Sequence, residues 1–263
     1  MPIPNYHTHT ALCGHADGMP ADYLEQAVRG GCSALGFSDH CPYPADEYDT
    51  WPNMRMHAAE APQYIAAVRQ AAAQAPFPVY AGFECEYAPR YESWYRDTLL
   101  GEFGAHYLVL GQHWLPSGRS MTYAPELTEP ADIRAYFALT IRAMQTGLFA
   151  FLAHPDIIMA DGRSWNDELG ALFSDLIDAA MGCHMPLEIN GYGLVKQAVR
   201  SSHGSRQPYP VDQFWQLAAD KHAEVICNSD AHTSAAVIEN AHRARRYAAR
   251  FGITPIESLR LAE

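Results

Sequence analysis

The chain has 263 residues, enough for one large α/β domain with a full core. At 48% hydrophobic and 18% charged it reads as globular rather than disordered. A formal net charge of −12 argues against nonspecific nucleic-acid or membrane-surface binding, which need a basic face, but leaves anionic substrates open because bound metal ions invert the local charge.

The segment Met1-Pro2-Ile3-Pro4-Asn5-Tyr6-His7 has no basic stretch followed by an apolar run, so no signal peptide is expected. No apolar run is long enough to span a bilayer. The six cysteines are scattered without a C-x-x-C pair and read as reduced thiols, each a small buried hydrophobe. These features together predict a cytoplasmic protein.

Taken in order, the first predicted strand is Ile3–Tyr6, followed by His7-Thr8-His9 and then His15. Side chains alternate along an extended chain, so His7 and His9 point the same way. A helix is predicted over Pro20–Arg29, and a strand over Ala34–Ser38 runs into Asp39-His40. Cys41–Arg55 lacks regular pattern and reads as a long loop. A helix over Ala58–Ala75 leads to a strand over Val79–Glu84, where Glu84 and Glu86 share a face and either is a candidate ligand. After a helix over Tyr91–Leu100, strand Tyr107–Gly111 delivers His113, and Leu115–Glu129 is a second long loop. Pro130–Thr146 places Ile133, Phe137, Ile141 and Met144 on one helical stripe, with Pro130 suited to the first turn. Strand Phe149–Ala153 delivers His154-Pro155-Asp156. Helix Trp165–Met181 follows, with Ser164 and Asp167 at capping-box spacing. Strand Leu187–Asn190, helix Val211–Lys221, strand Glu224–Asn228 with Asp230-Ala231-His232 beyond it, and helix Ala235–Phe251 complete the pattern.

Alternating strands and helices imply a parallel sheet, and about seven such units approach the eight of a closed barrel. No internal repeat or linker divides the chain, so residues 1–263 are expected to form a single domain. The histidines, 13 in all, stand repeatedly at the C-terminal ends of predicted strands, which converge on one face of such a barrel. Each motif alone is weak, since a lone histidine is more often a hydrogen-bonded core or surface residue. Potential ligands at six strand ends are hard to obtain by accident. Neutral imidazoles and carboxylates meeting in one cleft suit divalent Zn, Fe or Mn.

These residues resemble the PHP (polymerase and histidinol phosphatase) superfamily, and within it the free-standing histidinol-phosphatases. The matching segments are His7-Thr8-His9, His15-Ala16, Gly36-Phe37-Ser38-Asp39-His40-Cys41-Pro42-Tyr43-Pro44, Gly82-Phe83-Glu84-Cys85-Glu86-Tyr87, Leu110-Gly111-Gln112-His113, Ala153-His154-Pro155-Asp156, Glu188-Ile189-Asn190, Gln207-Pro208-Tyr209-Pro210 and Ser229-Asp230-Ala231-His232. The resemblance implies a distorted, TIM-like (βα)7 barrel and three divalent transition metal ions. It implies a first ion on His7, His9, Glu84 and Asp230, the candidate catalytic residues. A second would share Glu84 and add His113 and His154, and a third would take His15, His40 and His232. It also selects Glu84 over Glu86. The expected nucleophile is a hydroxide bridging two ions, attacking phosphorus in line without a phosphoenzyme. Asp17, Asp39 and Asp156 lie near ligands and are candidates to orient imidazoles or move protons, or are simply turn and capping residues.

One departure stands out. Where a Gly-Leu-Arg-Lys-like segment is common, this chain reads Gly193-Leu194-Val195-Lys196, so phosphate contact is expected to pass to Lys196, Arg200, Arg206 or Arg163. The implied reaction is hydrolysis of L-histidinol phosphate, the last phosphatase step of histidine synthesis. Alternatives are another small phosphomonoester or a nucleotide as substrate, and a noncatalytic PHP module with a protein partner. A metal-dependent amidohydrolase is disfavoured, since no lysine stands as an obvious metal-bridging ligand.

Overall fold

The computed structural model describes residues 2–48, 54–202 and 204–261. The chain runs β1 (Ile3–Asn5), α1 (Pro20–Arg29), β2 (Cys32–His40), α2 (Ala61–Ala72), β3 (Val79–Cys85), a π-wound helix (Trp94–Glu102), β4 (Tyr107–Leu110), β5 (Trp114–Ser117), β6 (Ser120–Tyr123), α3 (Pro130–Gln145), β7 (Phe151–Leu152), α4 (Asp167–Gly182), β8 (Leu187–Asn190), β9 (Val199–Ser201), β10 (Gly204–Arg206), α5 (Asp212–Asp220), β11 (Val225–Asn228) and α6 (Ala236–Ala249). Seven parallel strands form one sheet in the order β1-β2-β3-β4-β7-β8-β11. Past its ends the sheet nearly closes. Thr8 bridges Ala231, and the His9 amide donates to the Ala231 carbonyl at 2.9 Å. The result is a distorted TIM-like (βα)7 barrel, and among the described residues no helix is long and apolar enough to cross a membrane.

The strands are apolar on both faces because helices cover the outside and side chains fill the inside. Tyr6, Ala34, Tyr107, Val109, Phe151, Ala153 and Ile226 form a small cluster separate from the main core between strands and helices. Tyr107 on β4 reaches across to donate to the carbonyls of Tyr6, at 2.7 Å, and Phe37, at 3.1 Å. Gly36 makes that reach feasible, since a Cβ there would lie 2.3 Å from the Tyr107 hydroxyl. Ile256 and Leu259 pack against the same cluster, and the Ile256 amide donates to the Val225 carbonyl at 2.8 Å. The C-terminal tail thus closes the barrel end at which β11 begins, opposite the histidine-bearing face.

Several local expectations need correction. Helix α4 starts at Asp167, and its cap is Asn166, whose Oδ1 accepts from the Leu169 amide at 2.8 Å. Ser164 instead bonds Ser202, and Trp165 stacks on Phe173. The expected loop Leu115–Glu129 contains most of the β5–β6 hairpin, whose turn places Gly118 at φ 60°. Tyr91–Leu100 was expected as an ordinary helix. The stretch is helical throughout, but its winding changes from a 3-10 turn over Pro89–Tyr91 to π winding over Trp94–Glu102, where Phe103 N bonds Thr98 O five residues back. Of the expected loop Cys41–Arg55, residues 49–53 lie outside the described residues.

Candidate active site

The C-terminal ends of the strands bring all the expected ligand groups together. Strand β1 leads into His7 and His9, whose Nε2 atoms lie 3.1 Å apart. Glu84 from β3 and Asp230 beyond β11 face the same point. Glu84 Oε2 is 3.5 Å from both Nε2 atoms, and Asp230 Oδ1 is 3.5 Å from His7 and 3.1 Å from His9. An ion 2.0–2.1 Å from four tetrahedral ligands spaces them about 3.4 Å apart, so this quartet has the spacing of a coordination shell. The other Glu84 oxygen turns to a second group, with His154 Nε2 at 2.9 Å and His113 Nε2 at 3.7 Å. His15 and His232 form a third cluster, their Nε2 atoms 3.0 Å apart. His40 stands between clusters, with its ring 5.1 Å from His15 and its Nδ1 3.1 Å from Glu84 Oε2.

Metal fits this donor set on a further observation. Asp230 Oδ1, His9 Nδ1 and His154 Nδ1 are buried without a hydrogen-bond partner. An acceptor such as Asp230 Oδ1 that faces only ring nitrogens needs a cation to justify its burial.

Fixed hydrogen bonds on the far side of the rings aim the free nitrogens inward. His7 Nδ1 donates to Glu188 Oε1 at 2.8 Å and His113 Nδ1 to Glu86 Oε1 at 2.6 Å. His15 and His232 bond the carbonyls of Cys13 and Asp230 at 3.1 and 3.0 Å. Each bond places a proton on Nδ1 and leaves Nε2 as the ligand atom. Glu188 is itself fully buried and accepts from Asn190, Asn228 and the His154 amide. His154 and Asp230 adopt left-handed backbone, φ 30° and 49°, a cost of order 1–3 kcal/mol that packing sustains where a side chain must be aimed.

The PHP domain family matches residues 5–191. The chain belongs to the PHP domain family. "Probable histidinol-phosphatase" of Deinococcus radiodurans is 31% identical over 237 residues, covering 86% of this chain and 85% of that protein. The PHP domain described here is a phosphatase like that relative. Histidinol phosphate phosphatase of Lactococcus lactis, solved with zinc, L-histidinol and phosphate, shares the fold with a TM-score of 0.70 at 15% identity, covering 99% of each chain. A structure from Listeria monocytogenes gives 0.71 at 16% identity, covering 93% of this chain and 99% of that one.

The electrostatics of the PHP site are divided. Burial alone would raise Glu84 and Asp230, but the histidines, His7 foremost, hold both well below the carboxylate range. Burial also works against charge on His7, yet Glu188, Asp230 and Glu84 raise it well above the usual value. Burial lowers His9, His15 and His40, and with His9 it takes His232 down to about 4. Burial works against charge on His113 too, yet Glu86 and Glu84 take it up to about 9. His9, His15, His40 and His232 are thus the imidazoles held neutral, and their converging lone pairs suit cations.

Six of the nine candidate ligands, His15, His40, Glu84, His113, Asp230 and His232, line a cleft of about 410 Å³. Lys196 is on its wall, with its ammonium 4.7 Å from the Tyr192 ring centre and 5.2 Å from that of Tyr209. Arg55 lines the same cleft, bonding the Cys41 carbonyl and stacking over Tyr43. The other expected phosphate contacts are elsewhere. Arg163 donates to the carbonyls of Pro125 and Leu127 at 2.8 and 2.7 Å. Arg206 donates to those of Gln207, Pro208, Met159 and Arg163. Arg200 is exposed on the β9–β10 hairpin. The three aspartates hold backbone. Asp39 binds the Thr10 amide and hydroxyl, with His9 Nδ1 3.9 Å away; Asp156 accepts from the Val211 amide, and Asp17 from the Ser234 amide.

Sequence reasoning did not assign roles to Glu188, Arg55 or Gly111. A Cβ at Gly111 would meet Glu84 Oε1 at 2.2 Å, so its bare backbone leaves the space Glu84 occupies. Cys13, read as a plain core thiol, lies with His15 and His232 in a group whose ligand atoms fall within 4.8 Å of one another.

Proposed function

We propose that this chain is a single-domain, metal-dependent phosphomonoesterase, residues 1–263, whose substrate is L-histidinol phosphate. The observation that carries the reading is Glu84, whose two oxygens face two different imidazole groups. The substrate follows from the Deinococcus radiodurans relative, similar over most of both chains.

Three divalent ions, of Zn, Fe or Mn, are assigned to His7–His9–Glu84–Asp230, Glu84–His113–His154 and His15–His40–His232; the first two groups stand at ligand spacing, whereas in the third His40 turns its Nδ1 to Glu84. When bound, such ions lower the pKa of water toward neutrality and neutralise charge on a phosphoryl group in transfer. The chain's own contribution is positioning. Glu188 and Glu86 hold the His7 and His113 rings with Nε2 inward. Lys196 and Arg55 place positive charge in an acidic cleft, where phosphate oxygens recruit cations. Lys196 takes the role left open by Val195, which is 45% exposed and carries no charge.

The test is phosphate release by purified protein across histidinol phosphate, aryl phosphates and nucleotides. Histidinol phosphate is expected to give the highest kcat/KM. A nucleotide or aryl phosphate outperforming it would refute the substrate, and release from none of them would refute the phosphomonoesterase reading.

A further inference from the structure

The cleft continues past Lys196 into a second groove, and Tyr123, Glu126, Tyr192, Lys196 and Tyr209 line both. Glu126 differs from the other acidic side chains here. Glu84, Glu86 and Asp230 each lie against histidine nitrogens. Among the described residues the Glu126 carboxylate has no hydrogen-bond or ion-pair partner, and it is exposed on the cleft wall.

The backbone beneath it is held firmly. Glu126 ends a short turn, Ala124–Glu126, whose first amide donates to the His113 carbonyl at 2.7 Å. The Arg163 guanidinium bonds the carbonyls on either side of Glu126, those of Pro125 and Leu127. Arg206 in turn bonds the Arg163 carbonyl. A free carboxylate on a turn anchored by a part-buried guanidinium, next to the Tyr123 and Tyr209 rings, suits a cation by charge and by ring faces.

We infer that Glu126 is a specificity-determining residue that receives a cationic group on the leaving-group side of the substrate, and that Arg163 is its positioning residue. The substrate lies across the cleft, with phosphate toward the ligand cluster and Lys196 and an ammonium toward Glu126. The inference rests on the phosphomonoesterase reading and deepens it by naming the side chain that recognises the amine of the released alcohol.

The test compares the metal-replete wild type with Glu126→Gln, Glu126→Lys and Arg163→Met on three substrates: histidinol phosphate, its N-acetyl derivative and 4-nitrophenyl phosphate. In the wild type, histidinol phosphate is favoured over the N-acetyl compound. Glu126→Gln cuts that preference by about tenfold to a hundredfold, the worth of a charge-assisted contact, mainly through KM. Glu126→Lys abolishes or inverts it, and Arg163→Met reduces it in the same direction. A merely structural role lowers kcat/KM for all three substrates in proportion and leaves the preference unchanged, which overturns the inference. Wild-type protein that hydrolyses 4-nitrophenyl phosphate but shows no amine preference overturns the inference and leaves the phosphomonoesterase reading standing. Wild-type protein that hydrolyses none of the three overturns both.

Discussion

Gly111→Ala is a change of one methyl group that strikes at the residue shared between two ligand groups. A Cβ at position 111 would lie 2.2 Å from Glu84 Oε1 and 2.5 Å from its Cγ. Heavy atoms in ordinary contact sit about 3.5 Å apart, so the carboxylate must yield by roughly 1 Å. Glu84 is buried among His7, His9, His40 and His154, so it yields by withdrawing Oε1 from His154, which stands 2.9 Å away. Overpacking of this kind costs about 1–3 kcal/mol, or roughly 2–12 °C in melting temperature for a chain of this size. The functional cost is larger. A 1 Å misplacement at a reacting centre costs about a hundredfold in rate, and an ion shared through Glu84 is lost. The assay is metal stoichiometry by elemental analysis, melting by scanning calorimetry and kcat/KM on the same sample, with Gly182→Ala as control. A Cβ at Gly182 meets no atom within 4 Å, so that variant keeps metal and rate. A folded Gly111→Ala protein with full metal content and wild-type kcat/KM would refute the reasoning, because Glu84 then tolerates displacement.

Other consequences are checked as directly. Glu188→Gln, isosteric but uncharged, loses the strong acceptor for His7 Nδ1. It weakens metal affinity by about 10- to 100-fold, read by competition with a chromophoric chelator, while the fold persists. Glu84→Gln disturbs two groups, whereas Glu86→Gln disturbs only His113 and the backbone it caps, so Glu84→Gln costs far more in kcat. Equal losses in folded proteins would mean that the wrong glutamate is credited. His184 adopts φ 52° at the end of α4, so His184→Gly relieves left-handed strain of about 1 kcal/mol and raises the melting temperature by roughly 2–4 °C without changing kcat. Chelation leaves converging lone pairs without their cations and lowers the melting temperature, with recovery when metal is restored.

The barrel was legible because strands buried on both faces are compact apolar runs and the histidines mark their ends. His7 and His9 converge as period-two alternation requires, even though β1 itself ends at Asn5. Strand β2 extends beyond its expected Ala34–Ser38, because His40 pairs with Glu84 on β3, contacts that a local pattern does not contain. The hairpins were missed for a similar reason. Ser117-Gly118 is a turn signal, but β5 and β6 are short and half exposed, without a clean alternation to read. Glu188 lay in plain view within Glu-Ile-Asn, and its role as partner of His7 is a contact across 181 residues of sequence. The arginines show the same limit from the other side. Arg163 and Arg206 have the chemistry to hold phosphate, but the fold gives their guanidiniums to carbonyl oxygens, whereas Arg55 from the irregular stretch reaches the cleft. Gly111 gave no signal at all, since its meaning is the volume Glu84 needs.

The central claim is that the converging histidines and carboxylates are a metal centre that sustains phosphatase activity. Elemental analysis of freshly purified, active protein tests it most directly. The account predicts about two to three equivalents of Zn, Fe or Mn per chain, with phosphate release from histidinol phosphate lost on chelation and restored by the ion. Full phosphatase activity in protein that contains no metal would contradict it.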